Sequence, residues 1–262
     1  MTSPPVLRIE IDGRTATAEQ LLLSPFLTYG HFTAMQVRSG KVRGLDLHLD
    51  RLDTATRELF DAGLDRDRIR RHIRHALAGD VTDASVRVYV SRAEAEDRVS
   101  AMVTVRPPAE MPGTPQSLRS VPYQRPVPHI KHVGGFGQAH HRLLAGRDGF
   151  DEVLLTGPGG VVSEGGITNI AFFDGSAVVW PDAPALRGIT MQLLEPRLPG
   201  GGLPTRRSPV RLADLDSFGA AFVTNSQGIA PVARIDDLSF PVEGELMKTV
   251  TRIYESVPWD PI

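Results

Sequence analysis

The chain has 262 residues, 41% of them hydrophobic and 23% charged, a globular balance that can bury a core without staples. Cysteine is absent, which excludes a disulfide framework and thiolate chemistry and leaves any zinc site to histidine and carboxylate alone. The net charge of −2 gives no pull toward nucleic acid or anionic membrane, no apolar run is long enough to span a bilayer, and Met1–Glu10 lacks the blocks of a signal peptide, so a cytoplasmic protein with neither partner is expected.

In chain order, Val6 to Ile11 alternates and predicts an opening strand, and Phe32 to Arg38 predicts a second. Ser39-Gly40-Lys41 then turns, with Val42 to Leu45 as the hairpin partner. Leu47 to Leu64 and Asp65 to Ala78 carry apolar residues at helical spacing. Ala84 to Ser91 and Ser100 to Val105 read as strands. Seven prolines punctuate Arg106 to His129 (107, 108, 112, 115, 122, 126 and 128), which argues against a long helix or a central strand there. The division expected is 1–118, a proline-rich link over 119–130, and 131–262.

The second half predicts a helix over Gly137 to Gly146. Strands follow over Asp151 to Leu155, Gly160 to Ser163, Ile167 to Phe173 and Ala177 to Trp180, joined by glycine-rich turns. A helix over Thr190 to Leu198, a buried strand over Ala220 to Thr224, a turn within Ile235 to Leu238 and a helix over Glu243 to Tyr254 complete the chain. Mixed strands and helices in both halves give an α/β (α+β) class in two domains.

Lysine occurs only at 41, 131 and 248, so chemistry that needs a primary amine has three side-chain candidates. Lys131 precedes Gly134, Gly135 and Gly137, and a reactive lysine needs desolvation and room for a bulky partner. Glu164, in VVSEGGITNI, must either be exposed at a turn made by Gly165-Gly166 or be paired. Gly188-Ile189-Thr190 opens a helix whose first amides either bind phosphate or are simply capped by Thr190. Thr224-Asn225-Ser226 offers further donors, or an ordinary polar turn. Arg51 is either a phosphate clamp or a surface helix arginine. The adjacent His140 and His141 fall on different faces of a helix, so no metal is expected.

The order of these motifs resembles the fold-type-IV pyridoxal-phosphate enzymes, the class IV aminotransferase family. That family holds branched-chain and D-amino-acid aminotransferases, R-selective amine transaminases and aminodeoxychorismate lyase. IKHVGG is similar to the segment carrying the family's Schiff-base lysine, VSEGGITNI to its V-[ST]-E-G-x-x-[ST]-N motif, and PALRGITMQ to its P-x-L-x-G-I-T motif. VTNSQGIAPV resembles the strand before a P-V pair, and YGHFTAMQV with HLDRL the F-E-x-x-R strand and H-x-x-R-L helix. The resemblance runs from about Ile11 to Asp236. It implies pyridoxal 5'-phosphate as cofactor, with Lys131 as the catalytic amine and Glu164 at the pyridine nitrogen. It also implies that Arg51, Gly188, Ile189, Thr190, Thr224 and Asn225 hold the phosphate end.

The implied fold is a small N-terminal α/β domain and a larger C-terminal cofactor-binding domain with a mixed, barrel-like sheet. The implied partners are amines or amino acids and keto acids, and the implied assembly is a homodimer. His31, Phe32, Tyr89, Phe136 and Ser226 are the candidate substrate contacts; Gln36 could join them. The sequence departs from the family at Phe136, where many members have tyrosine, at Thr33 for glutamate, at Met191 for arginine and at Arg187 for proline. Transamination is the expected reaction. The alternatives are a lyase, favoured by the Lys131-His132-Val133 stretch, and a degenerate relative without catalysis.

Overall fold

The computed structural model describes residues 8–23, 29–79, 81–92, 98–242 and 244–262. Val6 and Leu7 of the expected first strand and Glu243 of the expected last helix lie outside the described residues. Two compact units share the chain: the first holds 1–109, 130–134 and 258–262, the second 110–129 and 135–257.

The first unit runs β1 (Arg8–Ile11), β2 (Arg14–Thr15), α1 (Ala18–Leu23), β3 (His31–Arg38), β4 (Lys41–Val42), α2 (Leu45–Phe60), α3 (Arg66–Leu77), β5 (Ala84–Arg92) and β6 (Val99–Arg106). The second holds β7 (Gln116–Pro122), α4 (Phe136–Arg147), β8 (Glu152–Thr156), β9 (Val162–Gly165), β10 (Asn169–Phe173), β11 (Val178–Pro181), α5 (Ile189–Leu194), β12 (Thr205–Ser208), β13 (Ala220–Asn225), β14 (Gly228–Ile235), β15 (Leu238–Ser239) and α6 (Glu245–Glu255). A last strand, β16 (Asp260–Pro261), returns to the first unit.

The first unit's sheet has the order β16-β4-β3-β5-β6-β1-β2 and is antiparallel throughout. Strict alternation in β3 and β5 sends Met35, Val37, Val86, Val88 and Val90 to one face. There they meet Leu45, Leu49 and Leu52 of α2 and Ile69 and Ile73 of α3, all buried. Asp65 caps α3 by accepting the Arg68 N–H at 2.9 Å. The basic side of α3 is answered by acids, with Arg66 paired to Asp50 and Arg70 to Asp46.

The second sheet has the order β12-β11-β10-β13-β14-β7-β8-β9, with β15 off β14, and curls so that β9 comes back beside β10. It is mixed: β7 pairs in parallel with both β14 and β8. A central strand therefore stands inside the proline-rich stretch, against expectation. Pro115 precedes β7 and Pro122 ends it, so the six residues between need no missing N–H. β14 was not among the expected strands; it contains Pro231, and its pairing with β7 starts only at Val232. Phe172, Phe222 and Trp180 are buried in this unit's cores. Among the described residues, no helix is long and apolar enough to cross a membrane.

Candidate functional site

Lys131 belongs to the first unit. Residues 131–133 lie along the start of β3: Phe32 N–H donates to the Lys131 carbonyl at 2.9 Å and Val133 N–H to the Gly30 carbonyl at 3.0 Å. His31 and His132 form a bridge there. The lysine is therefore fixed by backbone pairing, and its half-buried side chain places Nζ 4.9 Å from the centre of the Phe32 ring. Phe32 in turn stacks on Tyr89, its register partner in β5, with ring centres 5.2 Å apart. Arg87 donates to the Tyr89 hydroxyl at 3.3 Å. Lys131, Phe32, Tyr89 and Arg87 thus make one contiguous group in this unit.

His31 does not share that group. Neighbouring strand residues point to opposite faces, so His31 and Phe32 cannot both face one ligand. His31 is fully buried, and its Nε2 lies 3.0 Å from the Thr56 hydroxyl. That hydroxyl donates to the Leu52 carbonyl at 2.7 Å, so Nε2 carries the imidazole proton and donates to Thr56. Thr33 and His48 form a second buried pair at 2.6 Å. Burial lowers the His31 pKa to about 4, and burial and then the charge of Arg51 lower that of His48 to about 3. Arg51 is half-buried on α2, one turn beyond His48. Gln36 is engaged with Ser85 and the Ala109 N–H.

In the second unit Glu164 is not at an exposed turn. It lies inside β9, buried, with Oε1 3.4 Å from Arg125 Nε, and Oε2 accepts the Leu186 N–H at 3.3 Å. Asn169 of β10 clamps the same loop, its Oδ1 accepting the Gly188 N–H at 3.0 Å and its Nδ2 donating to the Leu186 carbonyl at 2.6 Å. A Cβ on Gly188 would come within 2.0 Å of Asn169 Oδ1, so only glycine permits the clamp. Gly188 caps α5, where Ile189 and Thr190 are buried and the first helical bond runs from Gln192 N–H to the Gly188 carbonyl. The Thr190 hydroxyl donates to the Asn225 carbonyl at 2.6 Å, which ties the start of α5 to the end of β13. Beside it, the Thr224 hydroxyl is buried and makes no hydrogen bond. Asn225 Oδ1 accepts the Gln227 N–H at 2.8 Å, and Ser226 sits in the β13–β14 turn.

Phe136 opens α4, is 81% exposed and stacks on His140. The room expected at the glycines after Lys131 is partly taken: the Tyr123 ring lies 2.4 Å from where a Cβ of Gly137 would sit, while Gly135 meets only Gln138, at 4.0 Å. Among the described residues, no group of three or more histidines and carboxylates could hold a metal.

Sequence reading missed Arg125 and Asn169. Asn169 closes the VSEGGITN motif and was legible there. Arg125 stands among prolines, where no periodicity reports burial. The second-unit residues fit a pyridine phosphate: a buried carboxylate, a buried hydroxyl without a partner and a side-chain-free glycine at a helix start.

Residues 30–235 match the family model described as amino-transferase class IV. A search of curated proteins returned no match. Among solved structures, the chain is similar to a hypothetical aminotransferase from Mycobacterium tuberculosis in its PLP-bound form, with a TM-score of 0.83, 20% identity and coverage of 97% of this chain and 98% of that one. It is similar to the branched-chain aminotransferase of Thermoproteus uzoniensis with norvaline (TM-score 0.83, 18% identity, covering 96% and 94%). It is also similar to the 4-amino-4-deoxychorismate lyase of Pseudomonas aeruginosa (TM-score 0.77, 23% identity, covering 95% and 99%). At these identities the likeness establishes the fold.

Proposed function

Because the chain belongs to the class IV aminotransferase family, whose enzymes use pyridoxal phosphate, we propose that it is an aminotransferase moving an amino group between an amino acid or amine and a keto acid. The observation that carries the reading is the pairing of a buried, fixed carboxylate at Glu164 with an unpartnered buried hydroxyl at Thr224 in one unit. Those are the groups that a pyridinium nitrogen and a phosphate require.

When bound, the cofactor supplies an electron-withdrawing ring that stabilises the charge left by a departing α-proton. The protein's part is assigned as follows. Lys131 Nζ is the amine that would hold the cofactor and would serve as the base that takes up the α-proton. Its backbone pairing with β3 sets where that amine starts. Glu164 would face the ring nitrogen, where a carboxylate favours the protonated form. Arg51, the start of α5 at Gly188, Ile189 and Thr190, and Thr224 and Asn225 hold the phosphate. Phe32 and Tyr89, on the same face as Lys131, are assigned to the substrate, as are Phe136 and Ser226; His31 supports β3 from behind. A homodimer and a cytoplasmic location complete the reading, the first checked by light scattering and the second by cell fractionation.

The test is a half-reaction screen that follows the visible band of the bound cofactor with L-amino acids, D-amino acids and R- and S-amines. Bleaching by one class and regeneration by pyruvate or 2-oxoglutarate are expected, and borohydride should label Lys131. No bleaching by any donor overturns the transaminase reading. The Lys131-His132-Val133 stretch favours a second reading, an aminodeoxychorismate-type lyase, for which formation of 4-aminobenzoate is the decisive product.

A further inference from the structure

Arg125 lies just beyond β7, in the segment Tyr123–Pro128, and its guanidinium is as buried as the carboxylate it faces, with 5% and 6% of the two side chains exposed. One arm of the guanidinium donates to the Pro128 carbonyl, which ties the cation to its own proline-rich segment. Nε lies 3.4 Å from Glu164 Oε1 yet is outside hydrogen-bonding geometry, while Oε2 is held by the Leu186 amide. The carboxylate is therefore gripped from two sides by groups of β9's own unit. A buried pair of this kind does little for net stability, because desolvation offsets the attraction. Removing one partner, in contrast, leaves an uncompensated buried charge. A pair this placed therefore needs a reason other than stability.

We propose that Arg125 is a positioning residue for Glu164: it keeps that carboxylate ionised and oriented, so that the proton shared with a pyridine ring stays on the ring nitrogen. The inference rests on the proposed cofactor role of Glu164. A cation close to the carboxylate and farther from the ring favours the charge-separated form, carboxylate and pyridinium, over the neutral one. Burial alone would push the proton the other way. Burial pulls the Arg125 pKa down, and Glu164 and then Tyr123 oppose it, so these are the titratable groups that face the guanidinium.

The test compares wild type, Arg125→Met, Arg125→Lys, Glu164→Gln and the Arg125→Met/Glu164→Gln double variant. The probe is pyridoxal 5'-phosphate labelled with 15N in the ring, whose resonance separates protonated from unprotonated nitrogen. Binding affinity and the melting temperature of the cofactor-free proteins are read beside it. Arg125→Met should move the ring resonance to the unprotonated range, as Glu164→Gln should, and weaken cofactor binding by about 10- to 100-fold, the scale known for partners that orient metal ligands. Arg125→Lys should restore the protonated resonance in part. The double variant should melt no lower than Glu164→Gln alone, since it removes the charge that variant leaves unpaired.

A protonated ring and unchanged affinity in Arg125→Met, or losses that simply add in the double variant, overturn the proposal. Wild-type protein that binds no cofactor overturns the functional reading as well. Wild type that binds, with Arg125→Met unchanged, overturns this inference alone.

Discussion

Thr224 is a buried hydroxyl without a partner, a state that costs free energy in the folded chain. Thr224→Val keeps the shape and the strand propensity while removing the polar atom. The cofactor-free variant should therefore melt at or slightly above the wild-type temperature, while pyridoxal phosphate binds it more weakly. Calorimetry and a binding titration check the two halves. A variant that both melts lower and binds as tightly as wild type would show the hydroxyl to be structural. Gly188 illustrates the same coupling of packing and site: its backbone is ordinary, with φ −59°, so the glycine is required by the closeness of Asn169 rather than by strain.

At the scale of elements, β3 and α2 are held together by two polar pairs inside an apolar layer, His31 with Thr56 and His48 with Thr33. Both imidazoles are neutral in the fold, with pKa values lowered from 6.5 to about 4 and about 3. Below pH 6.5 the unfolded chain binds protons that the fold excludes. Their contribution is thus complete above pH 6.5 and is lost as pH falls toward 4, on the order of a few kcal/mol for each ring. Asp12 and Asp53 of the same unit, with pKa values lowered from 3.8, contribute stability above that pH and lose it only in more acidic solution, below the window of the histidines. Melting temperature should drop between pH 7 and 4.5, and a flat profile across that window would contradict the assignment. The start of α2 has no cap from its own chain neighbours; Asp260 of β16 accepts the Leu45 N–H at 2.9 Å instead. Asp260→Ala should cost about 1 kcal/mol by urea denaturation, the usual worth of such a cap.

For the whole molecule, segments of the two units alternate along the chain, and 258–262 belong with the first although α6 belongs to the second. The returning segment pairs β16 with β4, buries Ile262, receives the Arg74 side chain on the Ile262 carbonyl at 2.5 Å, and sets Trp259 under Arg43 at 4.3 Å. A chain ended after Val257 should lose protection in β4 and α2, the helix that carries Arg51, while β10 and β13 keep theirs. Hydrogen exchange by mass spectrometry separates the two. Equal loss in both units would mean that the segment serves the molecule globally.

Local rules carried much of this. Alternation in Phe32–Arg38 and Ala84–Ser91, helical spacing in 47–78 and glycine turns after Leu155 read directly as elements, because each depends on neighbours within a few residues. The family and its cofactor were legible from the order of IKHVGG, VSEGGITN, RGIT and VTNS, and the family match over 30–235 agrees. Three things were decided only in three dimensions. β7 and β14 became central strands despite their prolines, because pairing with distant strands outweighs local interruption. His31 turned inward because the sheet's covered face is fixed by helices that pack on it, not by its own sequence. Arg125 met Glu164 because burial of a charge is settled by which partner the fold brings near, and no pattern along the chain reports that distance.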